Sequence, residues 1–280
     1  MLPKIEFNDI CFWIGENNLS GKLSVPRKDI LPALKKNKSL YNISTAFLTD
    51  FSGLHSYPYR GNDMVSEYLK EIRVSGDSSV HMDLWGTMFF EYEMILFILD
   101  RKHIRDFENH LKNRFLEGFR ILRLSPKSHK YPFEAALFKK VYEALAHHKF
   151  PVIISVDETD ITGDKQIQWE KLQEIAERFP NLPLIIDGGF SKELMYSSYI
   201  FMLISNCDNI YFNTHNLFGT NQIEDIVKNG GEDRLVFDTY YPHYEAFVST
   251  DRIMEADISS YQKEKIAQGN IKKILHGIEF

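Results

Sequence analysis

The sequence predicts an α/β chain folded as a (β/α)8 TIM barrel, distorted, with an insertion after strand two and helices packed outside the barrel at the C-terminal end. Short apolar runs alternate with amphipathic helical stretches, the pattern of a parallel sheet covered on both faces. Eight strand candidates fall within about 250 residues, the usual content of such a barrel. No G-x-G-x-x-G follows the first strand, so the competing open doubly wound sheet lacks its dinucleotide loop. Residues 1–280 read as one domain.

IEFNDICFWIG opens as a strand, DILPALKKN from Asp29 reads as a helix, and ISTAFLTD (Ile43 to Asp50) as the second strand. Residues from about 51 to 93 break the rhythm and read as an excursion over the barrel mouth. MILFILD from Met94 is the next strand candidate, with a helix from Lys102 to Phe115. GFRILRLSP (Gly118 to Pro126) precedes a helix from Phe133 to His148, and PVIISVD (Pro151 to Asp157) a helix from Trp169 to Arg178, with Leu172, Ile175 and Ala176 at helical spacing. PLIIDGG (Pro183 to Gly189) runs into a glycine turn. A helix near Lys192 to Ile204, the strand NIYFNTH (Asn209 to His215), a helix from Gln222 to Lys228 and the strand RLVFDTYYP (Arg234 to Pro242) complete the series.

A net charge of −6 leaves no basic footprint for nucleic acid. Two cysteines, Cys11 and Cys207, cannot build a disulfide framework and suggest a reducing compartment. No cationic, apolar leader opens the chain, and no apolar run reaches a membrane span. The expected setting is the cytoplasm, with no membrane partner. The aromatic segments SYPYRGND and LWGTMFFEYEM are candidates for a pocket cover or a homo-oligomer interface.

In such barrels chemistry sits at the C-terminal strand ends, where alternate residues share a face. Those ends offer Asp9, Cys11 and Trp13, then Arg123 and Ser125, Ser155 and Asp157, Asp187, Asn213 and His215, and Asp238 and Tyr240. A polar residue after a strand is often only a helix N-cap, a reading that suits Asp157 and Asn213. Asp187, after three apolar residues and before two glycines, is the stronger functional candidate.

These segments resemble the amidohydrolase superfamily, more closely its amidohydrolase-related branch of metal-dependent TIM-barrel hydrolases, decarboxylases and lactonases. GFRILRLSP, KVYEALAHHKFPVIIS, ERFPNLPLIIDGG, RLVFDTYYP and AQGNIKKIL are similar, in order, to five of its segments. The resemblance implies a divalent cation held by H-x-H on strand one, histidines after strands five and six, and an aspartate after strand eight. Those positions correspond here to Cys11, Trp13, Ser155, Asp187 and Tyr240, with Asp238 two residues before the last. None keeps the family's residue.

Three readings follow. The first is an altered family member that binds a small molecule, carboxylate- or phosphate-bearing, through Arg123, Trp13, Ser155, His215 and Tyr240. No cofactor is expected on this reading, and zinc or manganese enters only if Cys11, Asp187 and Asp238 form a non-standard metal site. The second is an active hydrolase or lactonase using Cys11, Asp187, Asp238 and His215, with or without a divalent metal; in the metal-free form Asp187 and Asp238 are the catalytic carboxylates, whose proximity raises one pKa. The third is a non-catalytic structural or interaction protein with Phe12, Trp13, Tyr240 and Tyr241 as core. Arg123 either clamps an anion or pairs with Asp187 or Asp238.

Overall fold

The computed structural model describes residues 5–17, 23–55, 57–75, 81–91, 94, 104–161, 166–190, 194–195 and 198–280. Eight strands form one sheet in sequence order: β1 (Phe7–Ile14), β2 (Ile43–Asp50), β3 (Asp83–Phe89), β4 (Phe119–Leu124), β5 (Val152–Ser155), β6 (Leu184–Asp187), β7 (Ile210–Asn213) and β8 (Leu235–Val236). Every neighbouring pair is parallel. The Ile10 N–H donates to the Phe237 carbonyl at 3.4 Å and the Trp13 N–H to the Tyr241 carbonyl at 2.7 Å, which joins the first strand to the last. The expected (β/α)8 barrel is therefore the fold.

Alternation sorts each strand into two faces. Leu122, Leu124, Ile154, Ile186 and Phe212 point outward into the main core with the helices. Ile10, Phe47, Ile121, Ile153, Ile185 and Val236 meet inside the barrel, and Ile271 and Ile274 join them. These last two lie on the C-terminal helix Asn270–His276. The Asn270 side-chain amide donates to the carbonyls of Glu232 and Leu235, both at 2.7 Å, and fixes that helix under the entry to β8.

β1 carries an irregularity that matters above this floor. Its pairing with β2 shifts between Asp9 and Phe12, where three steps on β1 match two on β2. An extra residue resets the alternation. Ile10 stays in the lower interior, while Cys11 and Trp13 join an upper cluster with Phe51, Phe89 and Tyr240.

The third strand differs from expectation. It is DLWGTMF, inside the stretch read as an excursion, which also holds the helices α1 (Phe51–His55) and α2 (Pro58–Ser75). The continuous apolar run at Met94 looked more strand-like than the shorter alternation Trp85, Thr87, Phe89, but β2 pairs with the latter. Met94 itself is helical and buried, and the rest of MILFILD lies outside the described residues. No helix among the described residues is long and apolar enough to cross a membrane.

Candidate active site

β4 ends at Leu124, so Arg123 points into the barrel near its C-terminal end, above Ile121. Its Nη1 donates to Asp187 Oδ2 at 2.6 Å, and its Nη2 to Cys11 Sγ at 3.1 Å. Its guanidinium carbon lies 5.1 Å from the centroid of the Trp13 ring, a cation–π distance. Three of the five positions that the sequence resemblance aligns with metal ligands thus surround one arginine. Tyr240, the fourth, packs against Trp13. The fifth, Ser155, has a buried hydroxyl without a partner.

Asp187 ends β6, and burial alone would push its carboxyl up. Arg123, His215 and the Gly189 N–H outweigh burial and hold it below the usual carboxylate range. The second reading expected an Asp187–Asp238 pair to raise one carboxyl, and Asp187 is not that group. His215 stands by both, with Nδ1 2.5 Å from Asp238 Oδ2 and Nε2 3.8 Å from Asp187 Oδ1. Burial does raise Asp9, to about 6. It accepts from the Thr239 N–H at 2.9 Å, the Thr239 hydroxyl at 2.5 Å and the Cys11 N–H at 3.1 Å.

His215 follows β7. Nε2 lies 3.0 Å from the Gly189 carbonyl, so both ring nitrogens face acceptors. Only the doubly protonated imidazolium donates to both. Burial pushes its pKa down, but Asp238 and then Asp187 more than reverse this. Asp238 also accepts from the Thr214 and His215 N–H groups and from the Asn213 side-chain amide. Asn213 is therefore more than a cap. Asp157 accepts from the Phe190 N–H at 2.6 Å, across the β5–β6 loops.

Above this layer Trp13 stacks on Phe51 at 4.8 Å, and the edge of Tyr240 meets Trp13 at 5.8 Å. Tyr240 also stacks on His215 at 4.2 Å, and burial holds its phenol well above its ordinary pKa. Phe190, 49% exposed, covers Tyr240 and His243 edge-on. Open space lies to one side: a cleft of about 350 Å³ between Gly15, Asp50, Ser52 and Arg60, over the ends of β1 and β2. The sequence reading missed Thr49, Thr87, Phe51, Phe89 and Thr239. The period-two series Phe47–Thr49–Phe51 and Trp85–Thr87–Phe89 marks the first four; nothing local marks Thr239.

The amidohydrolase family model matches residues 100–277, well over half the chain, and the chain belongs to that family. No curated protein matches it. Solved structures share its fold at low identity. A 2,6-dihydroxybenzoate decarboxylase complexed with 2,6-dihydroxybenzoate superposes with a TM-score of 0.66 at 12% identity, covering 97% of this chain and 99% of that one. A dihydroxybenzoic acid decarboxylase from Polaromonas, with bound manganese and the inhibitor 2-nitroresorcinol, gives 0.62 at 15%, covering 97% of each. A 5-carboxyvanillate decarboxylase from Novosphingobium aromaticivorans, with bound manganese and 3-methoxy-4-hydroxy-5-nitrobenzoic acid, gives 0.65 at 11%, again covering 97% of each.

These relatives overturn the expectation that no cofactor is to be looked for, because two of them hold manganese on this fold. The residues that the sequence resemblance aligns with metal ligands do not make a ligand set for such an ion. Cys11 and Asp187 both accept from Arg123, and burial raises the Cys11 thiol well above its ordinary pKa despite Arg123. Trp13 offers an N–H and no lone pair. Asp238 is bonded to His215. Among the described residues no group of three or more His, Cys, Asp or Glu could hold a metal ion.

Proposed function

We propose that this amidohydrolase-family barrel binds a small, carboxylate-bearing molecule at its C-terminal end, with catalysis altered or lost relative to the family. One observation carries the reading. Arg123 is buried at the C-terminal strand ends, with Nη1 on Asp187 and Nε on no partner. A guanidinium presents parallel N–H groups that match a carboxylate. Trp13, Tyr240 and His215 would enclose the rest of the ligand, with Ser155 beside its polar end. The solved relatives carrying dihydroxybenzoate and a nitrobenzoic acid support this ligand class.

The alternative of a hydrolase or lactonase working through Cys11, Asp187, Asp238 and His215 has less support. A general base needs a free lone pair, and both nitrogens of His215 face acceptors. Asp187, held low by Arg123, is a poor acid.

Isothermal titration with benzoate and with benzamide tests the proposal. The two have the same ring, and only benzoate carries the charge. Benzoate is expected to bind at least ~10-fold tighter, the scale of one charge-assisted hydrogen bond. Equal binding, or none by either, would overturn the reading.

A further inference from the structure

Five polar groups on the inward faces of β1 to β5 lack a hydrogen-bond partner. They are Trp13 Nε1, Thr49 Oγ1, Thr87 Oγ1, Arg123 Nε and Ser155 Oγ. None of these residues is more than 5% exposed. The opposite wall differs sharply, since Asp187, Asn213, His215 and Asp238 are bonded among themselves and to the backbone. Folded interiors leave few such groups unpaired, and each one left so is costly. Five on one wall, among them the Nε of a buried guanidinium, mark a place built to receive something.

The chemistry of the five says what it receives. Nε1 of tryptophan and Nε of arginine only donate, while the three hydroxyls donate or accept. Such a set suits oxygen lone pairs rather than a cation. We propose that Trp13, Thr49, Thr87, Arg123 and Ser155 form a buried receptor for the two oxygens of the ligand's carboxylate, beneath the Trp13–Phe51–Phe89–Tyr240 layer. This rests on the reading above that the ligand is a carboxylate, and it adds the place and the donors. Nη1 stays on Asp187. The edge formed by Nε and Nη2 takes the carboxylate, displacing the weaker thiol contact to Cys11. The remainder of the ligand then lies among the aromatic rings, which favours a planar, unsaturated framework.

The test uses the full chain carrying Thr87→Val and Ser155→Ala together, near-isosteric changes that remove two hydroxyls and leave Arg123 in place. Two readings are taken, the melting temperature without ligand and the affinity for benzoate. The free variant is expected to melt at the wild-type temperature or above, because unpartnered hydroxyls do not help the free fold. Its benzoate affinity is expected to fall by about tenfold or more, from two lost hydrogen bonds. Benzoate binding alike to both proteins overturns the receptor but leaves the carboxylate reading standing, and the hydroxyls then hold ordered water only. A melting temperature several degrees lower also overturns it, since the hydroxyls would then serve the fold. No benzoate binding to wild type overturns both.

Discussion

Arg123 and Asp187, 64 residues apart in sequence, meet at 2.6 Å with the side chains 2% and 0% exposed. The pair lies at the C-terminal strand ends, and it draws Cys11 and Trp13 around it. A buried ion pair is held by geometry: each partner answers a charge that burial would otherwise penalise.

Removing one partner should therefore be far worse than removing both. Arg123→Met is expected to cost about 3–5 kcal/mol by leaving Asp187 buried and unpaired. The double change Arg123→Met with Asp187→Leu should recover most of that loss. Urea denaturation of both variants checks this. Equal destabilisation would mean that the pair is not the reason for the loss.

Asp9 gives the barrel a pH dependence of defined sign. Its folded pKa, about 6, lies above the ordinary 3.8. The protonated folded state is favoured, so this contribution is fully present below 3.8 and is lost as pH rises through 6. His243 acts oppositely. Burial lowers it to about 4 from 6.5, so its contribution is present above 6.5 and is lost as pH falls through 4. Wild type alone therefore mixes slopes of opposite sign. The difference in melting temperature between Asp9→Asn and wild type isolates the first: the variant should gain on wild type as pH rises from 4 to 7.

Gly189 is set by both conformation and space. Its φ is +60°, and a Cβ there would lie 2.2 Å from Asp157 Oδ2 and from Ser155 Oγ. Gly230 has a φ of +82° with nothing within 4 Å. Gly230→Ala should cost about 1 kcal/mol, from backbone strain alone. Gly189→Ala should cost about 1–3 kcal/mol more, as the close contact adds strain. Thermal melts of the two variants compare the terms directly.

Trp13 closes the layer above Arg123 by packing on Phe51, Phe89 and Tyr240. Trp13→Ala should destabilise by about 3–5 kcal/mol, the range for deleting a large buried aromatic. Trp13→Phe keeps most of the packing but loses the N–H, so it should retain stability and weaken benzoate binding. Denaturation and titration of the pair separate the two roles.

The fold was legible because alternation and helix spacing are local signals. β1, β2 and β4 to β8 all lie within the stretches expected for them. β3 was not, because a continuous apolar run at Met94 looks more like a buried strand than DLWGTMF, whose polar Thr87 interrupts it. The candidate site was legible as strand ends, since Arg123, Asp187, His215 and Asp238 all follow from period two. Their partners were less so. The bulge that turns Cys11 inward is a property of pairing with β2, and the contact of Asp9 with Thr239 spans 230 residues. The second acceptor of His215 is the Gly189 carbonyl, on a residue with a positive φ.

The central claim is that a carboxylate binds beside Arg123, and a crystal structure of the wild-type protein with saturating benzoate tests it most directly. The account predicts density for the carboxylate within hydrogen-bond distance of Arg123 Nε, with Nη1 still on Asp187. Benzoate found only elsewhere, for example in the cleft between Asp50 and Arg60, with the Arg123 surroundings unchanged, would contradict it.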